Sequence, residues 1–362
     1  MNEPIVIVGA GLSGLYAASL LTSKGIECRV LEARGRIGGR VLTKEVLSKP
    51  EIGQFDLGPT WFWPQYETVI SRLVNEHRLK TFEQHTEGAI LFEQSQTEPV
   101  QRRMLPAGAV PKSVRLGGGI MSLVDALADT LPRDTIKLNT RVTEILKYEG
   151  KELTVRVELT DGKKKSIHAG AVILALPPRI VAQHISFSPS LPSNFSQSLA
   201  DQPTWMAGQA KAVAIYERPF WREDGLSGQV TSWGGPMQEI HDASPNDTDY
   251  GALFGFFGVP AKMRQKIEGD IQKLVIDQMT RLFGPHAEEP IAVLYKDWWN
   301  DCETAVEADS KPLMDFPNYG PLTSPDSWKK IIFAGTETSP EFGGHLEGAL
   351  RSAEQAVLKI LE

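Results

Sequence analysis

The stretch Ile5-Val6-Ile7-Val8-Gly9-Ala10-Gly11-Leu12-Ser13-Gly14 decides the fold of this chain. Its first four residues are apolar and favour strands, so they predict a buried parallel strand. The glycines at 9, 11 and 14 then allow a tight turn, a close approach of the backbone to a pyrophosphate, and close packing of the next helix. Unpaired amides at the start of that helix, near Ser13, favour a bound anion. The segment predicts a dinucleotide site.

The residues that follow supply the context that this glycine pattern requires. The helix is expected to run to about Lys24, where Gly25 suits the end of a helix. A second strand, Cys28 to Leu31, ends on Glu32, whose carboxylate can accept hydrogen bonds from both ribose hydroxyls. An acid at this position repels a 2′-phosphate, so NADP is disfavoured.

The segment Glu32-Ala33-Arg34-Gly35-Arg36-Ile37-Gly38-Gly39-Arg40 separates FAD from NAD. It offers three guanidinium groups for phosphate contacts and a glycine pair that lets the backbone approach the cofactor. NAD dehydrogenases usually lack such a segment. We therefore assign Gly9, Gly11, Ser13, Gly14, Glu32, Ala33, Arg34 and Arg40 to an FAD site.

Composition narrows the class of protein further. The chain has 362 residues and a net charge of −7. A net negative charge does not favour binding to nucleic acid or to an anionic membrane. Its two cysteines, Cys28 and Cys302, lie far apart and fit neither a disulfide framework nor a metal site. The first strand begins at the fifth residue and no run of eighteen apolar residues follows. We expect a cytoplasmic protein without a metal.

The remaining pattern predicts an α/β protein of two domains. A Rossmann-like FAD-binding domain takes residues 1–59, 113–187 and 306–362, and an interleaved substrate-binding domain of mixed sheet plus helices takes 60–112 and 188–305. The clearest further strands are expected at 153–159, 171–176, 210–216, 250–257 and 330–334. Apolar periodicity predicts helices through 69–79, 120–127, 267–282 and 346–360.

With these residues in view, the chain resembles the flavin-containing amine oxidase superfamily, which includes monoamine, polyamine and L-amino acid oxidases. Beyond the N-terminal segment, the resemblance rests on Asp56-Leu57-Gly58-Pro59-Thr60-Trp61, on Lys211 to Trp221, on Trp298, on Phe333-Ala334-Gly335-Thr336-Glu337-Thr338, and on Gly343-Gly344-His345-Leu346-Glu347-Gly348-Ala349. The resemblance covers nearly the whole length and does not fix the substrate.

The resemblance implies further cofactor residues and a reacting face. It adds Gly58, Pro59, Thr60, Trp61, Val142, Gly335, Glu337, Gly344, His345 and Leu346 to the FAD site. It implies that Glu337 hydrogen-bonds the ribityl chain and that amides near His345 face the flavin pyrimidine, where a positive helix end stabilises negative charge. Lys211, His345 and Trp298 are the candidate catalytic residues.

Lys211 stands out even without the resemblance. On a predicted strand it shares a face with Val213 and Ile215, which is an awkward place for a cation unless the side chain is functional or reaches the sheet edge. In the family, the matching lysine holds a water near flavin N5 and influences reoxidation by oxygen.

Two features depart from the monoamine oxidase pattern. His345 stands where those relatives usually have a tyrosine, one of two aromatic walls that hold the substrate amine. The segment 301–308 after Trp298 contains no tyrosine for the other wall, and its cysteine, Cys302, does not stand where some relatives form a thioether to FAD. A charged histidine would repel an ammonium. We therefore expect noncovalent FAD, and classical monoamine oxidase specificity is not implied.

The leading hypothesis is an FAD-dependent amine oxidase. Hydride would pass from the carbon next to the nitrogen of an amine or amino acid to flavin N5, the imine would hydrolyse, and O2 would be reduced to H2O2. The expected partners are a small amine and O2, and a homodimer stays open. One alternative is a desaturase or porphyrinogen-oxidase-like enzyme on the same fold. The other is a flavin-binding scaffold without turnover, suggested by the missing aromatic pair.

Overall fold

The computed structural model of the protein describes residues 3–106, 108–148, 152–267, 270–313 and 315–362. In chain order, the helices of this part are α1 (Leu12–Ser23), α2 (Thr68–Glu76), α3 (Met121–Asp129), α4 (Pro178–His184), α5 (Ser193–Asp201), α6 (Phe220–Glu223), α7 (Ala261–Arg264), α8 (Ile271–Phe283) and α9 (Leu346–Leu361).

The strands of the same residues are short and numerous. They are β1 (Ile5–Val8), β2 (Cys28–Leu31), β3 (Thr43–Glu45), β4 (Gln54–Asp56), β5 (Thr81–Glu83), β6 (Ala89–Glu93), β7 (Gln101–Arg103), β8 (Val114–Leu116), β9 (Ile136–Lys137), β10 (Thr140–Lys147), β11 (Leu153–Leu159), β12 (Lys164–Ala169), β13 (Ala171–Leu174), β14 (Ser186–Ser188), β15 (Ala210–Tyr216), β16 (Leu226–Ser232), β17 (Met237–Asp242), β18 (Gly251–Phe257), β19 (Ala292–Asp297) and β20 (Ile331–Phe333).

A five-stranded parallel sheet with the order β20-β13-β1-β2-β9 forms the centre of the dinucleotide-binding part. Every residue of β1 is buried, as the apolar run predicts. Helix α1 starts one residue after its N-cap, Gly11, and packs against α9 and α3. The predicted strand–turn–helix–strand order is confirmed, and the α/β fold class with it.

A seven-stranded mixed sheet with the order β19-β15-β18-β17-β16-β6-β7 is the second large sheet of the protein. Helix α8 packs on one side of it through Val275, Met279 and Leu282, which share an apolar cluster with Ala212 and Ala214 of β15. The other face of β15 carries Val213 and Ile215, which pack with Phe254 and Phe55. A separate four-stranded sheet, β12-β11-β10-β14, covers the parallel sheet.

All strands of the five-stranded sheet come from the ranges assigned to the FAD-binding domain, and all strands of the seven-stranded sheet from the other two ranges. The domain boundaries themselves stay a prediction.

Some predicted elements have different bounds in the structure; the helix expected at 69–79, for example, ends at Glu76. The strand expected at 171–176 ends at Leu174, because the next two residues leave the sheet and line a cavity. The helix expected from Ile267 begins instead at Ile271, so the prediction for Ile267 is wrong. Asp270 explains the difference, since its carboxylate accepts the backbone amide of Gln272 at 2.8 Å and caps the helix there.

Candidate functional site

One elongated cavity joins the carboxyl edge of the parallel sheet to a face of the seven-stranded sheet. At one end lie Gly9 and Glu32, which follow β1 and β2; at the other lie Lys211 of β15 and Phe254 of β18. The carboxyl edge of an open parallel sheet is the usual place for a dinucleotide. The predicted residues that line this cavity are Gly9, Gly11, Ser13, Glu32, Arg34, Arg40, Gly58, Pro59, Thr60, Trp61, Lys211, Trp298, Gly335, Gly344, His345 and Leu346.

The glycine turn fits a pyrophosphate. Gly9 has a φ of +103°, and a Cβ there would lie 2.7 Å from the carbonyl oxygen of Ala175. A Cβ on Gly11 would meet only Gly38 and Gly39 atoms at 4.0 Å, so the space in front of this residue is open. Among the described residues no side chain caps the start of α1, so its first amides are available to an anion.

Glu32 and Arg34 fit the ribose end of such a cofactor. The Glu32 carboxylate is buried and accepts the amides of Ala10 at 2.8 Å and Arg34 at 2.9 Å. Each carboxylate oxygen has a further lone pair for a ribose hydroxyl. Arg34 donates to Asp301 at 2.6 Å and Thr304 at 2.8 Å, while its Nε is buried without a hydrogen-bond partner in the structure. A buried donor without an acceptor points to a missing polar group at this site.

The N-terminal glycine turn and the C-terminal motif meet directly. The Gly335 amide donates to Ser13 Oγ at 3.1 Å and to Ser352 Oγ at 3.0 Å. The Arg40 guanidinium donates to the fully buried Glu337 carboxylate at 2.9 Å. These contacts join segments that are 322 and 297 residues apart in the sequence, and the two motifs thus form one wall of the cavity.

Lys211 is buried at the far end of the cavity, with 1% of its surface exposed. Its ammonium donates to Thr60 Oγ1 at 2.5 Å and to the Gly58 carbonyl at 3.0 Å, and it lies 3.9 Å from the centre of the Phe254 ring. Burial lowers the pKa of Lys211 from 10.5 to about 7; the Asp56 carboxylate opposes this shift and the Arg115 guanidinium adds to it. The buried cation is therefore compensated by a hydroxyl, a backbone carbonyl and an aromatic face, and its functional role stays a prediction.

His345 is the N-cap residue of α9 and lines the same cavity as Lys211. Its Nδ1 lies 3.5 Å from Oε1 of the buried Glu67. The rings of Trp63 and Phe316 have centroids 5.8 and 5.9 Å from the imidazole. Trp298 is buried beside the cavity and donates its indole N–H to the Leu57 carbonyl at 3.0 Å.

Four predicted cofactor residues do not line this cavity. A Cβ on Gly14 would lie 2.0 Å from the carbonyl oxygen of Gly9, so Gly14 serves the contact between helix and strand. Ala33 lies beside the cavity wall, and Val142 packs in the core beneath the four-stranded sheet. Glu337 is fully buried, and Arg40, which donates a hydrogen bond to its carboxylate, lines the cavity instead.

Sequence reasoning missed two features of the site. Glu67 gives no signal beyond an acid before an amphipathic helix, yet it is buried and lines the cavity. Phe316 is the second missed feature: its ring centroid lies 4.6 Å from that of Trp205, and a Cβ on Gly344 would lie 3.0 Å from Phe316. Aromatic rings therefore do face this region, contributed by segments other than the one after Trp298.

The parallel sheet, the glycine turn and the cavity that extends from them to the seven-stranded sheet define the class: a dinucleotide-binding protein. Residues 107–361 match the family model for flavin containing amine oxidoreductase, and residues 7–77 match that for an NAD(P)-binding Rossmann-like domain. The chain belongs to the flavin-containing amine oxidoreductase family, as the resemblance predicted. It is an FAD-dependent oxidoreductase that acts on amines.

Three relatives illustrate the likeness. Putrescine oxidase of Kocuria rosea is 25% identical over 474 positions, covering 100% of this chain and 95% of the relative. The structure of a putrescine oxidase triple mutant, from a redesign of cofactor binding, has a TM-score of 0.80 at 22% identity and covers 99% and 98% of the two chains. The structure of cyclohexylamine oxidase from Brevibacterium oxydans IH-35A has a TM-score of 0.80 at 20% identity and covers 99% of both.

The alignment with the Kocuria enzyme is longer than this chain of 362 residues, so more than 100 aligned positions have no counterpart here. Residues of the amine pocket therefore cannot be transferred one by one. Family membership does not favour the desaturase or scaffold alternatives. Among the described residues no helix is long and apolar enough to cross a membrane, and no cluster of metal-ligating side chains occurs.

Proposed function

We propose that this protein oxidises a small amine at the carbon next to nitrogen, with O2 as the electron acceptor and H2O2 as the product. The observation that carries the proposal is the single cavity that joins the glycine turn to Lys211 and His345. A dinucleotide that enters at the turn would place its reactive end beside these two side chains. Bound FAD would supply a two-electron acceptor that O2 can reoxidise.

The cofactor roles assigned from the sequence are part of this proposal. Glu32 and Arg34 would hold the adenosine half, and the amides around Gly11 and Ser13 the pyrophosphate. The free amides after His345 would face the flavin ring, and Gly58 to Trp61 would line its other side. Gly14 and Val142 would support the site through packing. The FAD is expected to be noncovalent, because Cys302 is exposed and Cys28 lies under α1.

The chain's own residues supply the conditions for the reaction. Aromatic rings such as Phe254 and Trp61 line the cavity and would surround a bound amine. Lys211 would hold a water and influence reoxidation, because its amine lies against the Phe254 ring and changes charge near neutral pH. A cytoplasmic location and a homodimer remain predictions.

The proposal is tested by mixing FAD-loaded protein with primary amines, secondary amines, polyamines and L-amino acids. Loss of the visible flavin band without oxygen, and peroxide formation with oxygen, are recorded together for each class. We expect both signals for one amine class. Flavin reduction without peroxide would assign a different acceptor, and the absence of reduction by every class would refute the proposal. The variant Lys211→Met should keep the reduction step and slow the reoxidation.

A further inference from the structure

The inference concerns the pair formed by His345 and Glu67, and it rests on the proposed function. Neither residue belongs to the glycine turn or to the lysine network, yet both line the same cavity. Glu67 is 2% exposed, and a carboxylate so buried needs compensation. Its Oε2 accepts the Trp63 amide at 2.7 Å, and its Oε1 faces His345 Nδ1 at 3.5 Å.

The position of this pair is fixed by two helices whose N-termini converge. Glu67 is the N-cap residue of α2, and His345 is the N-cap residue of α9. Glu347, one residue into the first turn of α9, accepts the amides of Val69 at 3.1 Å and Ile70 at 3.0 Å and so ties the start of α2 to α9. Arg351 donates to Glu347 at 2.8 Å, so the Glu347 charge is already compensated.

The position of Glu67 beside Nδ1 determines which nitrogen of the His345 ring is left for a ligand. A carboxylate beside Nδ1 favours the tautomer that carries its proton on Nδ1. The Nε2 lone pair is then free, and within the described residues no hydrogen bond to Nε2 occurs. His345 lies between Trp63 and Phe316, in a setting suited to an organic cation.

The chemistry of amine oxidation demands such a group. A primary alkylamine has a pKa of about 10, as the lysine side chain shows, and so it arrives as an ammonium. The nitrogen must lose a proton before its lone pair can assist removal of hydride from the neighbouring carbon. A side chain of the cavity within hydrogen-bond reach of the nitrogen can accept this proton as a general base.

We propose that His345, held and charge-compensated by Glu67, accepts the proton that the bound substrate ammonium loses before oxidation. The ammonium N–H bond breaks, its electron pair stays on nitrogen, and the proton binds Nε2 of His345. The imidazolium formed is stabilised by the Glu67 carboxylate. The free amine then loses hydride to the flavin and becomes an iminium ion, which water hydrolyses.

The test compares two substrates in the wild type and in matched variants. One is a primary alkylamine that the wild type oxidises; the other is its β-fluorinated analogue, studied at a pH where the parent is protonated and the analogue is mostly uncharged. His345→Phe keeps an aromatic ring, and Glu67→Gln keeps an acceptor for the Trp63 amide. Glu76→Gln is the control, because Glu76 is an exposed acid on the same helix.

The readout is the rate of anaerobic flavin reduction. We expect His345→Phe to slow reduction by the parent amine about 100-fold, the usual contribution of a general base, and reduction by the analogue less than about 5-fold. Glu67→Gln should show the same selectivity with a smaller loss, and Glu76→Gln should match the wild type. Equal losses with both substrates would overturn the proposal.

A second readout does not depend on turnover. A tert-alkylamine has no hydrogen on the carbon next to nitrogen, so it can bind but cannot be oxidised. With ¹⁵N-labelled histidine, its binding should shift the Nε2 resonance of one of the seven histidines, because the ammonium donates a hydrogen bond to that nitrogen, and His345→Phe should remove the shifted signal. An Nε2 resonance that does not move on binding overturns the proposal. A wild type that no amine reduces overturns the proposed function, and this inference with it.

Discussion

The burial of Lys211 has a measurable consequence for the pH dependence of stability. Burial lowers the pKa of this lysine from 10.5 to about 7 in the folded protein, whereas the unfolded chain keeps the ordinary value. Between these two values the unfolded chain binds a proton that the folded protein has released. Stability therefore rises with pH across this window on account of Lys211.

The substitution Lys211→Met removes this contribution. Between pH 7 and pH 9, a single group with these two pKa values changes the free energy of unfolding by about 2 kcal/mol. The variant also leaves Gly58 and Thr60 without their donor, but that cost does not vary with pH in this range. The difference in stability between wild type and variant should thus change by about 2 kcal/mol over the two pH units.

The measurement is urea unfolding of the FAD-free protein, followed by far-ultraviolet circular dichroism at several pH values. The control is Lys164→Met, because Lys164 is exposed on β12 and should give a curve parallel to the wild type. If the Lys211→Met curve is also parallel to the wild type, the lysine is not deprotonated by folding and the reasoning is refuted.

Three further predictions concern the framework of the site. Gly14→Ala should abolish FAD binding and lower the melting temperature, because its Cβ would lie 2.0 Å from the Gly9 carbonyl oxygen. Glu32→Gln should weaken FAD binding by about 10- to 100-fold in a fluorescence titration, because an amide cannot accept at both ends and one buried donor loses its partner. Glu347→Ala should lower the free energy of unfolding by about 3 kcal/mol, since two buried amides and a guanidinium lose their acceptor.

Each of these has a result that would contradict it. A Gly14→Ala protein that binds FAD like the wild type would show that α1 does not pack closely against the glycine turn at Gly9. Unchanged FAD affinity in Glu32→Gln would remove the ribose end from the proposed site. A Glu347→Ala loss no larger than that of Glu354→Ala, a partly exposed acid on the same helix, would show that α2 does not depend on α9.

Local patterns could be predicted from the sequence, and contacts between distant segments could not. The stretch from Ile5 to Gly14 determines its own strand, turn and helix, and the resemblance at Gly335 and His345 located the second wall of the cavity. The burial of Lys211 was foreseeable because its neighbours on one strand face are apolar. Strand β16, Leu226–Ser232, was not predicted, since it contains a glycine and alternates poorly.

The pair of Glu67 and His345 shows why contacts between distant segments could not be predicted from the sequence. Each residue is the N-cap residue of a helix, and only the packing of α2 against α9 brings the two together. The same is true of Phe316, which reaches Gly344 from a loop without regular structure. Such contacts depend on the position of whole elements, which hydrophobic periodicity does not encode.

The central claim is that an amine loses hydride within the cavity that joins the glycine turn to Lys211. The most direct measurement is anaerobic stopped-flow reduction of the FAD-loaded protein by an amine and by the same amine carrying deuterium on the carbon next to nitrogen. The account predicts that the flavin band disappears with both and several-fold more slowly with the deuterated amine. Failure of any amine to reduce the flavin would contradict it.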